Sequence, residues 1–408
     1  MPEVQALRCY NEFRVFPGIM RDQDRFNMKI QKITTYALIA SMTAMMFTAC
    51  NKGGSDDSDD TTAATSVEIT AEVPVTETTE TTEETTPPVT HTEDEYKAAG
   101  INELNSVPIL MYHRIYGMTN AETEYTGGNV DESGYNRTSE AFEADLRSFY
   151  EQGYRMMRLS DFVDGYIDVP FGYCPLILTF DDGIRDAVLE GWNEDGSPIF
   201  DPTCAIAILE KIKAEYPDYN VTATFFLNKD LFGNGEENDR KILQWMVDNG
   251  YDIGNHTRDH VKLDEYEADE IQDQIGYMYQ YLEQIIPGQY VNIVALPFGQ
   301  AGESDPKFDK IFAGTYEGTE YTSRAALLCG WTRSYSPFVR DYDNRAIRRI
   351  RAYDNNGVDW DIEDNFNQLN NGVRYVSDGD PNTIVFPAED NSSGDWLKNT
   401  FDHQVIPY

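Results

Sequence analysis

Two carboxylates and two imidazoles carry the chemistry that this sequence offers. Asp181 and Asp182 close the run LILTFDDG, in which apolar and β-favouring residues lead straight into an acidic pair. A strand buried on both faces of a parallel sheet has this texture, and its carboxyl end is where α/β folds place their sites. The plain alternative is a strand that ends in a polar Asp-Asp-Gly turn. His256 and His260 stand four apart in NHTRDH, so a helical turn would set both imidazoles on one side, as two ligands of one divalent metal. Asp182 supplies a third, harder ligand if the two strand ends are adjacent, giving a two-histidine, one-carboxylate site with positions left for water.

Such a site needs strands to carry it and helices to space the strands. From Glu103 onward, short apolar runs alternate with helical patterns: VPILMYH, SEAFEADLRSFYEQG, PLILTFDDG, CAIAILEKIKAEY, NVTATFFLN, DRKILQWMVDNG, YDIGNH, a longer helix around 267–285, VNIVALPFG, AALLCGW and NTIVFP. Alternation predicts an α/β fold with parallel strands. Ser139 is a candidate N-cap, with Phe142, Leu146 and Phe149 on one helical face, and Gly250 is a candidate helix stop. The strand count fits a barrel better than two separate domains, and an open doubly wound sheet remains compatible.

LTFDDG, NHTRDH and ALPFG, in that order, resemble the motifs of the polysaccharide deacetylases, carbohydrate esterase family four, with their NodB homology domain. VTATFFLN and WMVDNGYDIGNHT resemble the strand and helix between the first two motifs, and the likeness spans roughly residues 106–352. It implies a distorted (β/α)7 barrel, a single catalytic domain that hydrolyses acetyl groups from sugars. It further implies Asp181 as general base; Asp182, His256 and His260 as ligands of a divalent metal, most often Zn²⁺ with Co²⁺ or Ni²⁺ as alternatives; a structural hydroxyl on Thr257; and, after Pro297, an oxyanion donor at the Phe298 N–H. Trp331 falls near the fourth motif, as a sugar-stacking wall or as ordinary core packing.

The chain departs from that pattern twice. Ala295 stands two before Pro297, where the family usually has the Arg that orients the base; Arg333, Arg349 and Arg351 are equal candidates to replace it, the alternative being that they are surface cations. The late Leu-x-His that supplies the general acid is missing. His113, in ILMYHR, is close to the early Tyr-His motif of the biofilm poly-N-acetylglucosamine deacetylases, and in a closed barrel the first and last strands are neighbours, so His113 is expected to be the acid. Its alternative is a core histidine, and His403 is the rival acid; His91 is expected to be inert.

The function expected is removal of N-acetyl groups from an N-acetylglucosamine-type polysaccharide at the cell surface, by a monomer. An O-acetyl esterase on xylan or another glycan and an inactive glycan-binding lipoprotein are the alternatives. Nucleic acid is excluded as a partner, because 32 Lys+Arg stand against 71 Asp+Glu for a net charge of −39. Cys174, Cys204 and Cys329 are expected to be buried thiols with at most one bridge among them.

Residues 28–50 are predicted to be a lipoprotein signal, with Lys29 and Lys32 ahead of an apolar run that stops at Cys50. The run is too short to span a bilayer. Residues 1–27 precede an ordinary start at Met28 and are expected to be a mis-assigned extension; 51–96 form a disordered Thr/Glu-rich tether, and 97–408 the catalytic domain. Cys50 then carries the lipid that holds the protein at the outer face of a bacterial membrane, where two acyl chains anchor stably and one does not. Cell fractionation tests this: Cys50→Ser is expected to leave the membrane fraction, and wild-type recovery there would remove the anchor.

Overall fold

A computed structural model describes residues 91–299 and 305–408. The signal, Cys50 and residues 51–90 of the tether lie outside the described residues. The apolar runs form β1 (Ile109–Tyr112), β2 (Tyr154–Met156), β3 (Cys174–Asp182), β4 (Thr224–Leu227), β5 (Asp252–Asn255), β6 (Ile293–Ala295), β7 (Ala325–Leu327) and β8 (Ile350–Arg351). Seven of them lie in the order β7-β6-β5-β4-β3-β1-β8, all pairings parallel, and β2 pairs with the first residues of β3. The two ends of this row approach one another through a single segment: Ile347 bridges Leu327 of β7, and Ile350 pairs with Leu110 of β1. The sheet is therefore curled.

Alternation along the strands sorts the core. Ile109, Ile177, Phe226, Ile293, Ala295, Ala325 and Leu327 meet inside the curl, while Leu110, Leu178, Phe225, Ile253 and Ile350 face the helices. Side chains point to opposite faces with period two, so the same alternation puts Thr179, Asp181, Arg349 and Arg351 on the inner face.

The helices α1 (Glu93–Ala99), α2 (Ser139–Glu151), α3 (Ala205–Glu215), α4 (Glu236–Asp248), α5 (Ala268–Ile285) and α6 (Ile362–Gln368) account for the helical patterns. α2 buries Phe142, Leu146 and Phe149 as its spacing requires, but its cap is Thr138, whose side chain accepts from the Ala141 N–H at 3.1 Å; Ser139 is already helical. α4 ends at Asp248 with Asn249 as its C-cap, and Gly250 follows at φ +89°, the left-handed stop expected of it. No long helix separates β6 from β7 among the described residues, where a hairpin over 313–322 intervenes instead.

Two expectations are corrected. The tether cannot run to residue 96, since Thr92 and Glu95 form a capping box on α1 and Tyr96 is buried, while His91 stacks on Phe171 with ring centroids 3.8 Å apart. NTIVFP is β9 (Thr383–Phe386), which pairs with β10 (Gln404–Pro407) and not with the main sheet. Its Ile384 and Phe386 nevertheless enter the inner cluster, so the C-terminal segment fills the curl.

One buried carboxyl fastens that segment. Glu103 accepts from the Tyr375 hydroxyl at 2.9 Å, the Asp378 N–H at 3.2 Å and the Val385 N–H at 2.8 Å. Each donor left unpaired in the interior costs about 1–3 kcal/mol, so Glu103→Ala is expected to lower stability by about 3 kcal/mol. Urea unfolding of wild type and variant measures this; a loss below about 1 kcal/mol would mean that the donors find other partners.

Candidate active site

The carboxyl edge of the sheet gathers the chemistry. Asp181 is 3% exposed and receives both guanidinium nitrogens of Arg349, Nη1 to Oδ1 and Nη2 to Oδ2, each at 2.7 Å. Arg349 is itself fully buried, and it also donates to the Thr179 hydroxyl at 3.0 Å and to the Leu328 carbonyl at 2.8 Å. Burial alone would raise the Asp181 pKa. The charges of Arg349 and His256 outweigh it and hold the carboxyl below the usual range. Of the three arginines that could take the place of the residue missing at Ala295, Arg349 is the one on Asp181.

Asp182 ends the strand at φ +78°. Its Oδ1 stands 3.4 Å from His256 Nε2 and 3.2 Å from His260 Nε2. These are contacts without hydrogen-bond geometry, for Asp182 Oδ1 and His256 Nε2 are both buried and unpartnered among the described residues. One ligand atom from each of Asp182, His256 and His260 lies within 4.8 Å of the others. His256 Nδ1 meets the Ala295 carbonyl at 2.8 Å; with the proton on Nδ1, Nε2 is left as a bare acceptor, the arrangement a ligating histidine needs. Burial lowers the His256 pKa, but Asp181 and Asp182 outweigh it and raise it. The same negative field favours a bound cation, and orphaned acceptors that converge without donors fit a divalent metal.

The loop that carries the two histidines is not the helical turn that their spacing suggests. Thr257 and His260 have φ of +62° and +51°, and the residues between them are held from outside. Thr257 N–H donates to Asn255 Oδ1 at 2.9 Å, Arg258 N–H to the Gln274 carbonyl at 3.0 Å and Asp259 N–H to Gln274 Oε1 at 2.9 Å. α5 therefore braces the loop. The Thr257 hydroxyl, expected to matter structurally, is buried with no partner among the described residues.

His113 follows β1, whose Tyr112 pairs with Phe180, so it stands level with Asp181. Burial lowers its pKa, partly offset by Asp181 and Asp182, and its ring meets Tyr135 at 4.9 Å. His403 belongs elsewhere: it packs against Phe338, and the charges acting on it are Asp380 and Asp402. Pro297 is buried and Phe298 is half exposed at φ +60°, its ring 4.9 Å from that of His260. The turn requires Gly299, at φ +68°, because a Cβ there would lie 2.5 Å from the Cys329 nitrogen. Trp331 is half exposed, with the Arg351 guanidinium 3.9 Å from its ring centroid, which is not ordinary core packing. Cys174, Cys204 and Cys329 are free thiols, the first two buried.

Asp186 was not signalled by any motif. It is fully buried, neither oxygen has a partner among the described residues, and burial, then Asp182 and Asp181, raise its pKa well above the ordinary value.

The carboxyl edge of the parallel sheet thus sets an arginine-held carboxylate beside an Asp-His-His cluster, a candidate metal site. Residues 174–307 match the family model for polysaccharide deacetylase, and this stretch contains Asp181, Asp182, His256, His260, Pro297 and Phe298. The chain is also 31% identical over 139 residues to the peptidoglycan-N-acetylglucosamine deacetylase of Bacillus cereus, a span of 34% of this chain and 42% of the relative, less than half its length. Among solved structures, it is similar to the Streptococcus pyogenes deacetylase PplD in complex with acetate, with 19% identity, TM-score 0.44 and coverage of 61% and 92% of the two chains. The de-N-acetylase from Aggregatibacter actinomycetemcomitans gives 14% identity, TM-score 0.39 and coverage of 60% and 94%.

The separation of roles is testable. Asp182→Ala, His256→Ala and His260→Ala are expected to lose bound metal by elemental analysis, while Arg349→Met keeps it. A base at Asp181 would work ionised, so the activity it supports would be present above its pKa; without Arg349 burial is less opposed, that pKa rises, and the acidic limb of kcat/KM on an acetyl ester is expected to move to higher pH. An unmoved limb in Arg349→Met would separate Arg349 from the base.

Proposed function

We propose that the protein removes N-acetyl groups from an N-acetylglucosamine-type polysaccharide, as a metal-dependent deacetylase of the branch with an early Tyr-His motif. The observation that carries this is the Asp181–Arg349 pair beside the Asp182, His256 and His260 cluster: a base held ionised next to a ligand set. The name of the Bacillus cereus relative supports the same glycan chemistry.

In this mechanism Asp182, His256 and His260 would hold a divalent metal, Zn²⁺ with Co²⁺ or Ni²⁺ as alternatives, which would supply Lewis-acid activation. Asp181 takes the proton of the attacking water at a carboxylate oxygen, and Arg349 keeps that carboxylate ionised and aimed. The Phe298 N–H donates to the developing oxyanion. His113, level with Asp181 across the neighbouring strand, protonates the leaving amine. An amine leaves as a strong base and needs that proton, whereas an alkoxide from an ester needs it less. The presence of His113 at this rim therefore favours N-acetyl over O-acetyl groups. A bare lectin has no use for a buried base held in place by a second buried charge. We further propose that lipid on Cys50 and the tether keep the enzyme at the outer face of the membrane, within reach of the glycan.

Acetate release from N-acetylglucosamine oligomers, with and without chelator, tests the assignment: release is expected, is lost with chelator and returns with Zn²⁺. No release from metal-loaded protein across acetylated glycans would refute it. His113→Ala is expected to lose about 10² to 10⁴ in turnover on the amide and far less on an activated acetate ester. An equal loss on both, or a loss confined to His403→Ala, would move the acid elsewhere.

A further inference from the structure

Arg351 of β8 is the other inner-face cation, one layer nearer the rim than Arg349. Its guanidinium carbon lies 3.9 Å from the ring centroid of Trp331, 4.2 Å from Tyr353 and 4.8 Å from Tyr135. It is 7% exposed, and its Nε is buried and unpartnered. No carboxylate lies within ion-pair distance of it among the described residues, in a chain whose acidic groups outnumber its basic ones more than two to one. Acids near it in sequence have partners of their own: Asp354 accepts from the Asn356 N–H, Asp343 from the Arg345 N–H, Asp359 from the Asn355 amide, and Asp361 from the N–H groups of Asn355, Gly357 and Asp364.

A buried cation without a counter-charge is costly, and aromatic faces offset only part of the cost. The Tyr135 and Tyr353 phenols are neutral hydrogen-bonding neighbours of the guanidinium, so the partner it lacks is a charged one, and a guanidinium suits an oxyanion bidentately. The surroundings point to the candidate active site. Tyr135 joins Arg351 to His113, ring against ring at 4.9 Å, and Trp331 is open to solvent at 44% exposure.

We propose that Arg351 is a specificity residue for an anionic glycan, pairing with a carboxylate or phosphate group borne on or beside the acetylated sugar while Trp331 stacks on the sugar ring. This rests on the deacetylase assignment above. Neutral oligomers bind without supplying the missing charge; anionic ones complete the pair.

Binding separates this proposal from that assignment, because it needs no turnover. Asp181→Asn protein is titrated by calorimetry with a neutral N-acetylglucosamine tetramer, a tetramer bearing a carboxylate, and one bearing a phosphate. A charge-assisted pair predicts about 10- to 100-fold tighter binding of one or both anionic oligomers; which of the two identifies the source. In Arg351→Gln the anionic-to-neutral ratio is expected to fall to about 1, with Arg351→Lys intermediate. Equal affinities in the parent, or an undiminished ratio in Arg351→Gln, would overturn the proposal. If Arg351→Gln does not fold, the salt response of the parent decides: a preference that does not weaken as salt rises is not electrostatic and overturns it equally. Absence of acetate release by the wild-type enzyme would count against the deacetylase assignment and not against the measured preference.

Discussion

The Asp181–Arg349 ion pair is the constraint around which the rest of the site is arranged. Both partners are buried, and removing two charges from water costs several kcal/mol per ion unless every lone pair and donor is answered. Here most are answered: both Asp181 oxygens are used, and four of the five guanidinium hydrogens are given, two to Asp181 and one each to Thr179 and Leu328. β1 lies between β3 and β8 in the sheet, so the pair spans the inside of the curl over a neighbouring strand. Only a curled sheet allows that reach, and once made, the pair pins the last strand to the one that carries the acidic residues.

From this follows the electrostatic character of the rim. Arg349 neutralises one carboxylate of the acidic pair and leaves the other, Asp182, with two imidazoles and no donor. The negative charge that remains is concentrated among acceptors that face each other, which is what a cation requires and what an apolar core would not tolerate. The Ala295 carbonyl fixes one imidazole, and α5 holds the loop of the other in left-handed backbone that its sequence would not adopt alone. Groups outside the motifs thus set the orientation of the two imidazoles.

The inner face has two ends with different chemistry. Below the site, Phe338, Tyr375, Ile384 and Phe386 fill the curl with apolar volume, tied down through the buried Glu103. Above it, the same inner face runs from Arg349, just before β8, to Arg351 within it, from a cation with a fixed internal partner to one with aromatic neighbours and no ion-pair partner among the described residues. A two-residue step along the chain therefore separates structural charge from charge available to a ligand.

The acidic strand end, the paired histidines and the early strand histidine were legible in the sequence, because a buried strand and a ligand spacing leave their mark in contiguous residues. So were the helices whose apolar faces repeat, such as α2, and the stop at Gly250. The identity of the arginine was not legible: Arg333, Arg349 and Arg351 differ only in strand parity and depth, and parity is known only once β8 pairs with β1. Nor was the shape of the histidine loop, since Gln274 and Asn255 act on it from a helix and a strand end that the sequence does not bring together. The same holds for β9, an apolar run whose composition marks a strand but whose partner is chosen by where the chain has room after the main sheet has curled. Local pattern determined which residues could do chemistry; long-range pairing decided which of them face one another.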